Sequence, residues 1–110
     1  MKSRQEGCLL RIFCGESDKT EGKLLYEFIL HKARELKLAG CTVLRGSMGF
    51  GAKSHMHTAK LLCLSEDLPI VIEIIDQKEK LEAFLPYLEA MGHDLLITMA
   101  PVEMLRYTKA

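Results

Sequence analysis

The residues of this 110-residue chain with the most chemical potential lie at positions 46–62, GSMGFGAKSHMHTAKLL. Three glycines lead to Lys53 and Ser54, and His55 and His57 flank Met56. A Walker-type phosphate cradle requires G-x-x-x-x-G-K-[ST], with backbone amides and the lysine facing the phosphates. Here Ala52 separates Gly51 from Lys53, and the stretch lies between strand-like runs, so no helix N-terminus adds its amides and dipole. A metal site is the alternative: His55 and His57 share a face of an extended segment, and Met56 or Cys63 adds a soft donor. Two imidazoles and a distant thiol are a sparse set for zinc or copper. Nucleophilic catalysis needs a Cys or Ser beside an oriented base, and no spacing supplies one. Glu66 and Asp67 read as a solvated turn ending at Pro69. The residues offer no enzyme constellation and call for no cofactor.

The elements that must position these residues follow from hydrophobic period. Residues 8–14 and 68–75 are apolar at nearly every position and read as strands buried on two faces. Thr20 is a candidate N-cap for a helix whose stripe is Leu25, Ile29, Ala33 and Leu36 and whose end is Gly40. Asp76 with Glu79 resembles a capping box before a second stripe of Leu81, Phe84, Leu85, Leu88 and Met91, ended by Gly92. Pro86 inside that stripe predicts a kink or a break, since an interior proline costs about 3 kcal/mol. Residues 41–50 and 58–64 are further strand candidates, and residues 95–99 with 102–107 form a last strand broken at Pro101. The order β, α, β, β, α, β predicts an α+β, ferredoxin-like fold: a four-stranded antiparallel sheet with two helices on one face. One domain spanning residues 1–110 is expected.

Strand parity then places side chains. Cys8, Leu10, Ile12 and Cys14 oppose Leu9, Arg11 and Phe13; Ile70, Ile72 and Ile74 oppose Val71, Glu73 and Ile75. Two helices cover one of these faces. The other carries Leu9, Phe13, Val71 and Ile75, an apolar patch that calls for a partner, with self-association the leading reading. In the expected register Arg11 and Glu73 meet on that face. The chain's 15 Lys and Arg balance 15 Asp and Glu without a polybasic run, which argues against nucleic-acid binding. No run of about 18 uncharged apolar residues occurs, so a cytoplasmic protein is expected. None of the four cysteines forms a C-x-x-C, and all are expected to be reduced.

Together, GCTVLRGSMGFGAKSHMHT, LPIVIEIID and PVEMLRY resemble the PII signalling superfamily. Its members share a Gly-x-Thr-Val strand start, a Gly-Phe-Gly leading into a long loop, an apolar third strand and a final Pro-Val-Glu strand bearing an arginine. Within that superfamily LLRIFCGESDK, LLYEFILHKARELKLAG and LSEDLPIVIEI are similar to the PII-like family called domain of unknown function 190. The resemblance covers nearly the whole chain. It implies a homotrimer packed sheet to sheet, with an adenine nucleotide or other small anion in the clefts between subunits. The loop at residues 51–64 would then act on a partner, a membrane transporter or channel among the candidates. Carried over by position, Gly40, Thr42, Gly49, Phe50, Gly51 and Arg106 would form the ligand site, and Lys53 is a further anion partner by its charge. Leu95 and Leu96 stand where PII has a glycine and a phosphate-binding lysine, and residues 51–64 hold no tyrosine, so uridylylation does not carry over. The metal alternative resembles the copper-tolerance proteins of the same trimeric fold, through His55 and His57.

Overall fold

In the computed structural model the described residues are 2–50, the backbone of 57–58, and 67–109. The elements run β1 (Lys2–Gly15), β2 (Lys19–Thr20), β3 (Lys23–Leu24), α1 (Leu25–Glu35), β4 (Gly40–Arg45), β5 (Met48–Gly49), β6 (His57–Thr58), β7 (Pro69–Asp76), α2 (Lys78–Ala90) and β8 (Leu96–Tyr107). The four long strands form one antiparallel sheet in the order β4-β7-β1-β8, the ferredoxin-like arrangement expected.

The core lies between the sheet and the helices. Cys8, Leu10 and Ile12 of β1 and Ile70, Ile72 and Ile74 of β7 meet Leu25, Ile29 and Ala33 of α1 and Leu81, Phe84 and Leu88 of α2. These are members of the predicted stripes, but Leu36, expected in the first stripe, caps α1 and is 38% exposed, and several boundaries differ. Thr20 caps no helix: Glu21 and Gly22, both at positive φ, turn the chain so that β2 pairs with β3, and α1 starts only at Leu25, whose N–H donates to the Asp18 carbonyl. Nor does Gly40 end α1. Lys37, at φ 60°, takes the left-handed position, with Leu38 N–H donating to the Ala33 carbonyl and Lys37 N–H to that of Arg34, a Schellman closure built on a non-glycine residue.

Asp76 is not a cap either. It ends β7 with its side chain buried, and Gln77 holds the N-cap position with no side-chain capping bond. Helix α2 runs through Pro86 as one element, because that residue lies on the solvent side where water can satisfy the carbonyl it leaves free. Likewise β8 continues through Pro101, since β8 is an edge strand where a missing N–H need cost no ladder bond. The predicted strand at 41–50 is divided between β4 and β5, and of the one predicted at 58–64 only Thr58 lies within the described residues.

One extension was not foreseen. β7 ends opposite Cys8, but β1 and β8 stay paired as far as Lys2 opposite Tyr107. Residues 2–7 and 102–107 thus form a two-stranded ribbon running beyond the rest of the sheet.

Candidate ligand-binding site

The ribbon creates the first of two clusters of predicted site residues. Where it leaves the sheet, a cleft of about 330 Å³ opens, walled by Gly40 at the start of β4, Ile75 near the end of β7, and Val102, Met104, Leu105 and Arg106 of β8. Two sequence-predicted positions, Gly40 and Arg106, therefore line one cleft, although 65 residues separate them in the chain. A Cβ built on Gly40 meets no atom within 4 Å, so the glycine leaves open space on the cleft wall. Arg106 forms no ion pair with a described residue, whereas Glu103 lies 3.7 Å from Arg4. The cleft thus offers mostly apolar walls, the Glu103 carboxylate that faces Arg4, and one guanidinium without an ion pair from a described residue, a fork suited to phosphate or carboxylate. Ile75, Met104 and Leu105 escaped sequence reasoning as cleft residues, because only the length of the ribbon brings β8 over the end of β7.

The second cluster lies past the other end of β4. Arg45 pairs with Glu16, Gly46 N–H donates to the Pro69 carbonyl at 2.8 Å, and Glu16 N–H donates to the Leu68 carbonyl at 2.8 Å. Asp67 does not stand in a merely solvated turn: its Oδ1 accepts from Ser17 N–H at 2.8 Å. Both ends of the segment between Gly46 and Leu68 are thereby held against the turn that follows β1. Gly49 sits at φ 156°, which L side chains rarely adopt, and a Cβ on Gly46 would lie 3.0 Å from Pro69 Cγ. These glycines therefore serve the chain's own close passage over Pro69. Phe50 is 65% exposed.

Thr42 lies between the clusters, exposed on the uncovered face of the sheet and opposite Glu73. Glu73 Oε2 accepts from Arg11 Nε at 2.8 Å, the pair that strand parity predicted. At about 3.3 Å per strand residue, β4 alone keeps Gly40 roughly 16 Å from Arg45, so Gly49 and Phe50 do not reach the Gly40–Arg106 cleft within one chain. Gly51, Lys53, His55, Met56 and Cys63 lie outside the described residues, and His57 is described only as backbone of β6, paired with Gly49. Among the described residues no three His, Cys, Asp or Glu side chains are grouped to hold a metal. Cys8, Cys14 and Cys41 form no disulfide, and burial pushes the Cys41 thiol from 9.0 up to about 11. No helix among the described residues is long and apolar enough to cross a membrane.

The DUF190 family model, described as "Uncharacterized ACR, COG1993", matches residues 7–104. A UPF0166 protein of Aquifex aeolicus is 41% identical over 97 residues, 88% of this chain and 91% of its own length. The chain belongs to the DUF190 family. A second relative, UPF0166 protein MJ1524 of Methanocaldococcus jannaschii, is 34% identical over 80 residues, 73% of each chain. Among solved structures, a putative PII-like signaling protein from Thermus thermophilus superimposes with a TM-score of 0.64 at 17% identity, covering 92% of this chain and 91% of that one. CPII from Thiomonas intermedia K12, a nitrogen regulatory PII-like protein bound to ADP, AMP and bicarbonate, gives 0.62 at 21% identity, covering 93% and 91%. At these identities the DUF190 chain shares the PII-like fold with both.

Proposed function

We propose that this DUF190 protein is a PII-like regulatory module that performs no chemistry itself. It binds an adenine nucleotide or another small anion in clefts between copies of the chain and acts on a partner through residues 51–64. The observation that carries this reading is the cleft in which Arg106 stands among largely apolar walls with no ion pair to a described residue, the one carboxylate of the lining, Glu103, lying 3.7 Å from Arg4 instead. A purine can lie on Ile75, Val102 and Met104 while the guanidinium takes the phosphate. The ADP and AMP bound to CPII, a protein of the same fold, support this ligand class.

The separation of the two clusters supports a site shared between copies. Gly40 and Arg106 belong to one end of β4 and Gly49 and Phe50 to the other, so a neighbouring chain is required to add the second set to the first. The uncovered sheet face, with Leu9, Phe13, Val71 and Ile75 around the Arg11–Glu73 pair, is the surface we assign to that assembly, a homotrimer.

Thermal unfolding with ADP, AMP and bicarbonate tests the proposal. A ligand at a hundred times its Kd adds about 2.7 kcal/mol, several degrees of melting temperature for a chain of this size. Arg106→Ala should remove the shift without changing the sedimentation of the assembly, and Gly40→Leu should remove it by filling the cleft. If none of the three ligands shifts the wild-type melting temperature, the binding reading fails.

A further inference from the structure

Asp76 is the one buried charged or polar side chain among the described residues, at 5% exposure. A carboxylate out of water must have its lone pairs met, and this one is met by backbone alone: Oδ2 accepts from Ala39 N–H at 3.0 Å and Oδ1 from Gln77 N–H at 2.7 Å. The Gln77 side chain extends the connection, with Nε2 donating to Oε1 of Gln5 at 3.0 Å. Three of the four residues in this chain of bonds adjoin a wall of the Gly40–Arg106 cleft, while Gln5 and Gln77 themselves line a neighbouring cavity. Ala39 precedes Gly40, Asp76 follows Ile75, and Gln5 lies opposite Met104 in the ribbon ladder.

We infer that Asp76 and Gln77 are positioning residues for this cleft, holding the start of β4 and the ribbon at a fixed separation from the end of β7. The inference rests on the binding reading above and adds residues that do not themselves touch ligand. The physical case is one of leverage. β4 and β8 are the two edges of the sheet, and β7 stops opposite Cys8, so past that point no third strand of the ladder braces the ribbon that carries Arg106 against the start of β4. The Ala39–Asp76–Gln77–Gln5 connection ties the start of β4 to the ribbon strand β1, and the β1–β8 ladder carries that constraint on to Arg106. It runs partly through a buried carboxylate acceptor, where such bonds are strong.

The test uses AMP as probe and compares variants at matched stability. Asp76→Asn keeps the shape but turns an NH2 toward a backbone N–H. It should weaken AMP binding at least tenfold and speed amide exchange at Ala39, while Ile29→Val, a core variant remote from the cleft, should lower the melting temperature and leave affinity within twofold. Should Asp76→Asn not fold, Gln5→Ala and Gln77→Ala serve instead: each should weaken AMP two- to threefold, and the double variant should be no weaker than either single one. Unchanged affinity in Asp76→Asn, or additive losses in the Gln5/Gln77 pair, would overturn the inference. If the wild-type protein binds no AMP, the functional reading falls separately. The positioning role then stands or falls on amide exchange, which Gln77→Ala must accelerate across residues 3–6 if the ribbon is held as described.

Discussion

On the helix side of the sheet Leu10, Ile12, Ile72 and Ile74 are fully buried, whereas on the opposite side Leu44 and Leu96 are each 48% exposed and Ile75 38%. One sheet supplies both rows, the sealed one from the central strands β1 and β7 and the open one from β7 and the edge strands β4 and β8. What differs is cover: α1 and α2 both pack on one face, and no described element packs over the centre of the other. The open face also carries the Arg11–Glu73 pair at its centre, whereas the sealed face has its buried charge, Asp76, only at the end of β7. With helices on one side only, and assembly through the other as proposed, the two faces of the sheet should answer to mutation in different ways.

The largest effect belongs to the sealed face. Phe84→Ala removes a ring that is 1% exposed and should cost about 3–5 kcal/mol in urea unfolding, enough to unfold a small domain of ordinary stability. Phe13→Ala on the open face should cost the isolated chain much less and act on assembly. Equal losses of chain stability from the two would erase the distinction between the faces.

Next comes the pair at the centre of the open face. At 47% and 27% side-chain exposure in the single chain, Arg11 and Glu73 contribute only about 0–1 kcal/mol. Once covered by other copies, a stranded Glu73 would cost several times that. Arg11→Met should therefore weaken the assembly, seen as dissociation at micromolar concentration in sedimentation velocity, and Arg11→Met with Glu73→Leu should recover most of the loss. Wild-type protein that sediments as a monomer would remove the interface altogether.

A smaller effect concerns the thiols. With its folded value raised to about 11 from 9.0, Cys41 keeps its proton in the fold at a pH where the unfolded chain has lost it. The unfolded state then binds fewer protons, so this contribution is intact below pH 9, falls as pH rises, and is gone above 11. Stability should accordingly decline over that window, and Cys41→Ala should flatten the decline. In the native protein at pH 8 a thiol reagent should label Cys41 slowly, and Cys8, 4% exposed on the sealed face, more slowly still.

The smallest effect lies outside both faces and calibrates them. Lys37 occupies a left-handed position at φ 60°, a conformation that glycine adopts without strain. Lys37→Gly should stabilise the chain by up to about 1 kcal/mol in urea unfolding, with no change in assembly or ligand response.

The candidate site was legible in part. The glycines, Thr42, Phe50 and Arg106 could be picked out because motif positions are local in the chain, and so could the Arg11–Glu73 pair, since strand register follows from alternation. The use of each residue was harder to read. Gly49 was a candidate ligand-site residue, and in the fold it passes, with Gly46, close over Pro69. Asp76 and Glu79 suggested a capping box, and in the fold Asp76 is a buried acceptor for Ala39, 37 residues away. Short polar side chains bond to whichever backbone donor lies nearest, and that donor is fixed only when distant segments meet.

By itself the sequence determined the order of the elements, the two faces of the sheet and the helix stripes. Each depends on a period of 2 or 3.6 residues that any stretch of chain carries within itself. Only the tertiary structure decided that Pro86 and Pro101 interrupt nothing, because the tolerance of a missing N–H depends on whether water or a ladder partner stood on that side. It alone decided that β1 and β8 outrun β7, and that the resulting ribbon sets Arg106 beside Gly40 while leaving Gly49 and Phe50 at the far end of β4. Strand length beyond the hydrophobic core is governed by pairing with a distant partner, and in the exposed residues 2–7 no local apolar pattern marks it.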